Sequence, residues 1–105
     1  MYGLVFYLKK ENLIREYSKA HEGINSENYK QAYEDIRDIL RHYGFHWLSN
    51  SFYFSRSINN LLQITKALHH LKTIEWFKKS LVSLHIFKME DLSIFTDYII
   101  EDESK

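Results

Sequence analysis

The residues able to do acid–base or metal chemistry are few and unevenly placed. The chain has six histidines and no cysteine, so a thiol nucleophile, a disulfide framework and a cysteine-based zinc site are excluded at once. His69 and His70 are adjacent on a helix-forming stretch. Helical neighbours diverge by about 100°, so they cannot grip one metal as a pair. His42 and His46 stand four apart, but Gly44 lies between them and interrupts the helix that would align them. Ser51 has the setting of a turn residue, and no Ser-His-Asp arrangement follows from the sequence. There is no glycine-rich phosphate loop, which argues against nucleoside-triphosphate chemistry. His85 remains as a general acid or base near neutral pH. Lys72, Lys78, Lys79 and Lys88 suit phosphate contact and a solvated face equally. Trp47, Phe52, Tyr53 and Phe54 have the chemistry to stack bases, yet an aromatic face without arginine suits burial against protein better.

The charge count is balanced, with 14 basic and 14 acidic side chains. The balance hides a pattern. Residues 39–88 carry seven basic side chains, a single acid (Glu75) and five of the histidines, whereas residues 89–105 carry one basic and six acidic. A basic middle with an acidic end suits an anionic partner, or a tail folding over a basic face.

These residues need elements to position them. The chain is 105 residues long, with no proline, 3 glycines and 16% aromatics. That describes one globular domain with a real core, neither disordered nor collagenous. No apolar run approaches the ~20 residues of a membrane helix. No basic leader precedes Met1-Tyr2-Gly3-Leu4-Val5-Phe6, so a cytoplasmic protein without membrane association is expected.

Residues 2–8 read as a strand buried on both faces. Residues 9–25 read as a loop with a short helix around Leu13–Tyr17. A helix over 26–43 is predicted from Ser26 as N-cap and the stripe Tyr29, Ala32, Tyr33, Ile36, Leu40 and Tyr43, with Gly44 as its stop. On that helix Lys30, Glu34, Arg37 and Arg41 read as a solvated flank. Phe45–Leu48 and Ser51–Phe54 around Ser49-Asn50 read as a hairpin, with Asn50 tolerating positive φ. Ser57 is the expected cap of a helix over Ile58–Lys72, with Ile58, Leu61, Leu62, Thr65 and Leu68 as its apolar stripe. Ile74–Lys79 reads as a short helix burying Trp76 and Phe77. Leu81–Met89 reads as a strand with Leu84 and Ile86 on one face and His85 and Phe87 on the other. A helix or arm is expected from Ser93, and a frayed acidic tail over 101–105.

The order βαββαβ predicts an α+β, ferredoxin-like fold with an antiparallel sheet, one domain over residues 1–100. Helices would cover one sheet face. The other, bearing Val5, Tyr7, His85 and Phe87, needs cover of its own, which predicts a dimer. Tyr7, Trp47, Tyr53 and Phe87 are the expected interface residues.

Several longer stretches carry a resemblance. Met1-Tyr2-Gly3-Leu4-Val5-Phe6, Gln31-Ala32-Tyr33-Glu34-Asp35-Ile36-Arg37, Gly44-Phe45-His46-Trp47, Ile74-Glu75-Trp76-Phe77-Lys78-Lys79-Ser80 and Phe87-Lys88-Met89-Glu90-Asp91-Leu92-Ser93-Ile94-Phe95-Thr96 occur in this order across most of the chain. The sequence resembles the virulence-associated protein D (VapD) family of toxin–antitoxin endoribonucleases. The resemblance implies a ferredoxin-like dimer that cleaves RNA, restrained in some members by an antitoxin.

It also shows departures. The family's first strand typically ends in an aspartate where this chain has Tyr7. The glycine-serine that closes the family's hairpin is Asn50-Ser51 here. An Arg-Asp-Ile-Arg run is replaced by Val82-Ser83-Leu84-His85. A carboxylate can bind a hard cation or act as a base. A phenol of pKa about 10 spends roughly 4 kcal/mol on deprotonation at pH 7. Loss of arginine at position 82 removes a bidentate phosphate grip. The resemblance therefore implies a member degenerate at Tyr7, Ser51, Ser83 and His85, without a catalytic residue. It would act as antitoxin or regulatory subunit, as a homodimer or in a mixed dimer with an intact VapD-type paralogue. RNA contacts would fall to Lys72, Lys78, Lys79 and Lys88. The alternative is a working endoribonuclease with a rearranged site using His85. No cofactor is expected, and a divalent metal only in an active enzyme.

Overall fold

The computed structural model describes residues 1–21, 29–58 and 60–101. Its elements are β1 (Tyr2–Leu8), α1 (Lys10–Ala20), α2 (Lys30–His42), β2 (His46–Ser49), β3 (Phe52–Ser55), α3 (Leu61–Lys72), α4 (Glu75–Ser80), β4 (Leu81–Lys88) and α5 (Thr96–Glu101). The expected cap at Ser26 and the acidic tail beyond Glu101 lie outside the described residues.

The four strands form one antiparallel sheet in the order β2-β3-β1-β4. This is the strand order of the expected ferredoxin-like arrangement, with β1 in the interior and β4 at an edge. The sequence of β1 sets its two faces. Leu4, Phe6 and Leu8 are buried in the core, while Val5 and Tyr7 alternate onto the other face. Leu84 and Ile86 of β4 pair with Phe6 and Leu4 and join the core, and His85 and Phe87 face the opposite way, as their alternation predicted.

Helix α2 buries Ala32, Ile36 and Leu40, spaced at i, i+4 and i+8 along one stripe. It stops where expected. Gly44 has φ 94°, and the Phe45 amide donates back to the Leu40 carbonyl at 2.9 Å, the 6→1 bond of a glycine C-cap. Helix α4 buries Trp76 and Phe77, and the Phe77 ring meets Phe6 edge-on at 5.8 Å between centroids.

Helix α1 is longer than the short helix expected around Leu13–Tyr17, running for 11 residues. Leu13 and Tyr17 are its buried residues. The Tyr17 hydroxyl donates to Asp35 Oδ2 at 2.8 Å, tying α1 to α2, and its ring meets Trp76 edge-on at 5.1 Å. Burial, then the adjacent Asp35 carboxylate, push the Tyr17 phenol up to about 12.

Helix α3 corrects the sequence reading. Asn60, not Ser57, caps it, its side-chain oxygen accepting from the Gln63 amide at 3.0 Å. Its buried stripe is Ile64, Ala67 and Leu71, while Leu61 and Leu62 are exposed. The face turned to the core is therefore not the predicted stripe. Ser57 instead lies 3.3 Å from the Ser55 hydroxyl. Among the described residues no helix is long and apolar enough to cross a membrane.

Candidate functional site

Strand pairing brings Tyr7, Ser83 and His85 together. Tyr7 stands directly opposite Ser83, and Val5 directly opposite His85. All four side chains lie on the sheet face away from the helices, with His85 diagonal to Tyr7. Tyr7 is 63% exposed, and His85 is also exposed. Directly opposed residues on one sheet face have Cβ atoms about 4.5–5.5 Å apart. Positions 7 and 83 are therefore a face-to-face pair.

The hairpin closes the same end of the sheet. Asn50 occupies positive φ (48°), as its type predicted. The turn is Asn50-Ser51 rather than Ser49-Asn50, with a register irregularity between Trp47 and Ser49. The last β1–β3 pair is Val5 with Phe52. Beyond it Tyr7 and Leu8 are paired only on the β4 side, and a groove of about 520 Å³ opens there, lined by Tyr7, Leu8, Tyr33, Ser49, Asn50 and Ser51 among others. Ser51 thus joins Tyr7 at this site. Tyr33 is a groove residue that its place on the α2 stripe did not disclose. Its phenol is pushed above the usual range by burial, with Tyr29 and Tyr7 adding to the shift.

The expected interface residues divide between the two faces. Tyr7 and Phe87 share the open face, where Phe87 lies edge-on to Phe52 at 5.6 Å, over Gly3. Tyr53 does not share it. It pairs with Leu4, is 2% exposed and stacks on Phe6 at 6.1 Å. Burial raises its pKa, with the Arg37 guanidinium beside it opposing the rise. Trp47 pairs with Tyr53 and is also turned toward the helix side. Its ring lies 4.1 Å from the Arg37 guanidinium, and its Nε1 donates to the Asn50 carbonyl at 2.8 Å. Arg37, read from the sequence as part of a solvated flank, is thus packed against an aromatic ring.

The lysines also divide. Lys79 is in α4 at the Tyr7 end of the sheet, where the adjacent Ser80 carbonyl accepts from the Lys9 amide, and its ammonium is 3.7 Å from Glu75. Lys72 and Lys78 flank an apolar groove that includes Leu68, Leu71, Phe77 and Leu84. Lys88 is at the far end of β4, opposite Tyr2. Among the described residues no three His, Asp or Glu side chains come together to hold a metal ion.

Comparison with known proteins identifies the family. The chain is 43% identical over 100 residues to endoribonuclease VapD of Helicobacter pylori (strain ATCC 700392 / 26695), covering 94% of this chain and 98% of that protein. The chain belongs to the VapD family. It is also 35% identical over 96 residues to endoribonuclease VapD of Dichelobacter nodosus, covering 91% and 94% of the two chains. It is 26% identical over 99 residues to endoribonuclease VapD of Haemophilus influenzae (strain ATCC 51907 / DSM 11121 / KW20 / Rd). No family model matches the chain. The VapD resemblance read from the sequence agrees with these relatives.

Proposed function

We propose that this VapD-family chain has lost most of its cleavage chemistry and works as a binding subunit, pairing with an intact VapD-type ribonuclease and contributing RNA-contacting surface to the mixed dimer. The observation that carries this reading is the direct opposition of Tyr7 and Ser83. The family resemblance implies an aspartate at each of these positions. Two carboxylates facing each other across adjacent strands can share a hard cation or divide acid and base roles. A phenol and an alcohol there do neither near pH 7. Both members of the pair are replaced, while the fold that positions them is intact.

The open face offers the surface for pairing. Val5, Phe52 and Phe87 lie on it beside the exposed Tyr7. An aromatic sheet face of this kind suits a second protomer of the same fold. Co-expression with an intact VapD-type ribonuclease tests the reading. A stable mixed complex with reduced RNA cleavage is expected; failure of the two chains to co-purify would count decisively against it.

A second reading is favoured by one observation. His85 is exposed, diagonal to Tyr7 and two residues from Ser83 on the same face. Cleavage by attack of an RNA 2′-hydroxyl on the adjacent phosphate needs a base, an acid and charge stabilisation, and no metal. Cleavage by the wild-type chain that disappears in His85→Ala would establish this reading in place of the first.

A further inference from the structure

We infer that Trp47 is a preformed stacking platform for a base of single-stranded RNA at the hairpin end of the sheet, an inference that rests on the RNA-contacting part of the reading above. The ring is held on two sides. Its Nε1 is tied to the Asn50 carbonyl at 2.8 Å, and one face is stacked on the Arg37 guanidinium at 4.1 Å. Even so, Trp47 remains 45% exposed. A large aromatic ring fixed in this way loses little freedom when a base stacks on it, and stacking tolerates any base because every base has a π face.

The surroundings suit a nucleic acid. The Arg37 guanidinium lies beneath the ring, held in place by its ion pair with Glu34 at 3.8 Å and by Tyr53 beside it. The Asn50 carbonyl that holds the ring belongs to the turn that lines the Tyr7 groove, whose lining includes the hydroxyl-bearing residues Tyr7, Tyr33, Ser49 and Ser51. A strand with one base on Trp47 would run past the turn toward these hydroxyls, which can bond ribose and phosphate oxygens. The sequence placed Trp47 at a protein interface together with Tyr7. The structure turns it away from that sheet face and toward α2.

Intrinsic fluorescence tests the platform directly. The chain has two tryptophans, and Trp76 is 7% exposed in the core, so quenching by a ligand in solution reports Trp47. Titration with a short oligoadenylate should quench the emission of the wild type and of Trp76→Phe, the latter checked for fold by circular dichroism. Trp47→Ala should weaken RNA binding roughly ten- to a hundredfold, and Trp47→Phe should keep much of it. RNA binding that is equal in wild type and Trp47→Ala would overturn the platform while leaving the RNA reading standing. A wild type that pairs with a VapD-type ribonuclease but binds no RNA, alone or in that complex, would overturn both the RNA reading and the platform. Trp47 emission that responds to protein concentration and not to RNA would make it a protein contact and overturn the inference.

Discussion

The bond between Tyr17 and Asp35 is the most informative single contact for stability, because it joins the helix that sequence reasoning undersized to the helix it placed best. Tyr17 is 1% exposed, and its hydroxyl donates to Asp35 Oδ2 at 2.8 Å. Tyr17→Phe keeps the ring, its edge contact with Trp76 and its stacking on His21 at 4.1 Å. Only the hydroxyl is lost. A hydrogen bond to a charged group contributes about 1.5–3 kcal/mol. Asp35 also accepts from Gln31 at 3.3 Å at the surface, where water can replace the lost donor, so the lower part of that range, about 1.5 kcal/mol, is expected. The same contact predicts an alkaline transition. The phenol is raised in the fold to about 12 from its ordinary 10, so the folded state favours the protonated form. Its contribution is fully present below about pH 10 and is lost as pH rises toward 12, by about 2 kcal/mol over that window. Urea unfolding of wild type and Tyr17→Phe at neutral pH, and again near pH 10.5, measures both effects. The wild type should lose stability faster than the variant with rising pH, so the gap between them should narrow. A gap that is absent at neutral pH, or that widens with pH, would refute the reasoning.

Two further substitutions test the frame around the site. A Cβ at Gly3 would sit 2.5 Å from the Phe87 ring and 2.8 Å from the Met89 sulfur, so Gly3→Ala must displace Phe87 from the open face and should cost about 1–3 kcal/mol in chemical denaturation. Asn60→Ala removes the side-chain acceptor for the Gln63 amide and should cost about 1 kcal/mol, whereas Ser57→Ala should cost clearly less because Ser57 does not cap α3.

Much of this architecture is legible in the sequence. Alternation in residues 2–8 and 81–88 separates Leu4, Phe6, Leu84 and Ile86 from Tyr7 and His85, and the structure keeps that division. Gly44 and Asn50 mark their bends because few residues accept positive φ. The misplaced parts have physical causes. A hairpin of aromatic residues has no internal signal for which face is buried, since both faces are apolar. Register against β1 decides it, and a one-residue change of parity moves every side chain to the other face. Tyr53 therefore went to an expected interface although its pairing with Leu4 places it in the core. Helix α3 carries apolar residues on more than one face, Leu61 and Leu62 on one and Ile64, Ala67 and Leu71 on another, so its pattern alone does not choose the buried stripe. Helix α1 is largely polar, with Leu13 and Tyr17 carrying its burial, so its pattern is faint. The groove beside Tyr7 exists because β1 outruns β3, a length mismatch that pairing alone discloses. Arg37 reads as one charge among several until Trp47 is seen packed against it.

The central claim is that replacement of a facing acid pair has removed cleavage from a VapD-family fold. The measurement that addresses it most directly compares RNA cleavage by the purified wild type and by Tyr7→Asp/Ser83→Asp, each with and without magnesium. The account predicts little or no cleavage by the wild type and a clear gain in the double variant, because the substitutions place carboxylates at two facing positions on adjacent strands. Wild-type cleavage as fast as that of the double variant would contradict it.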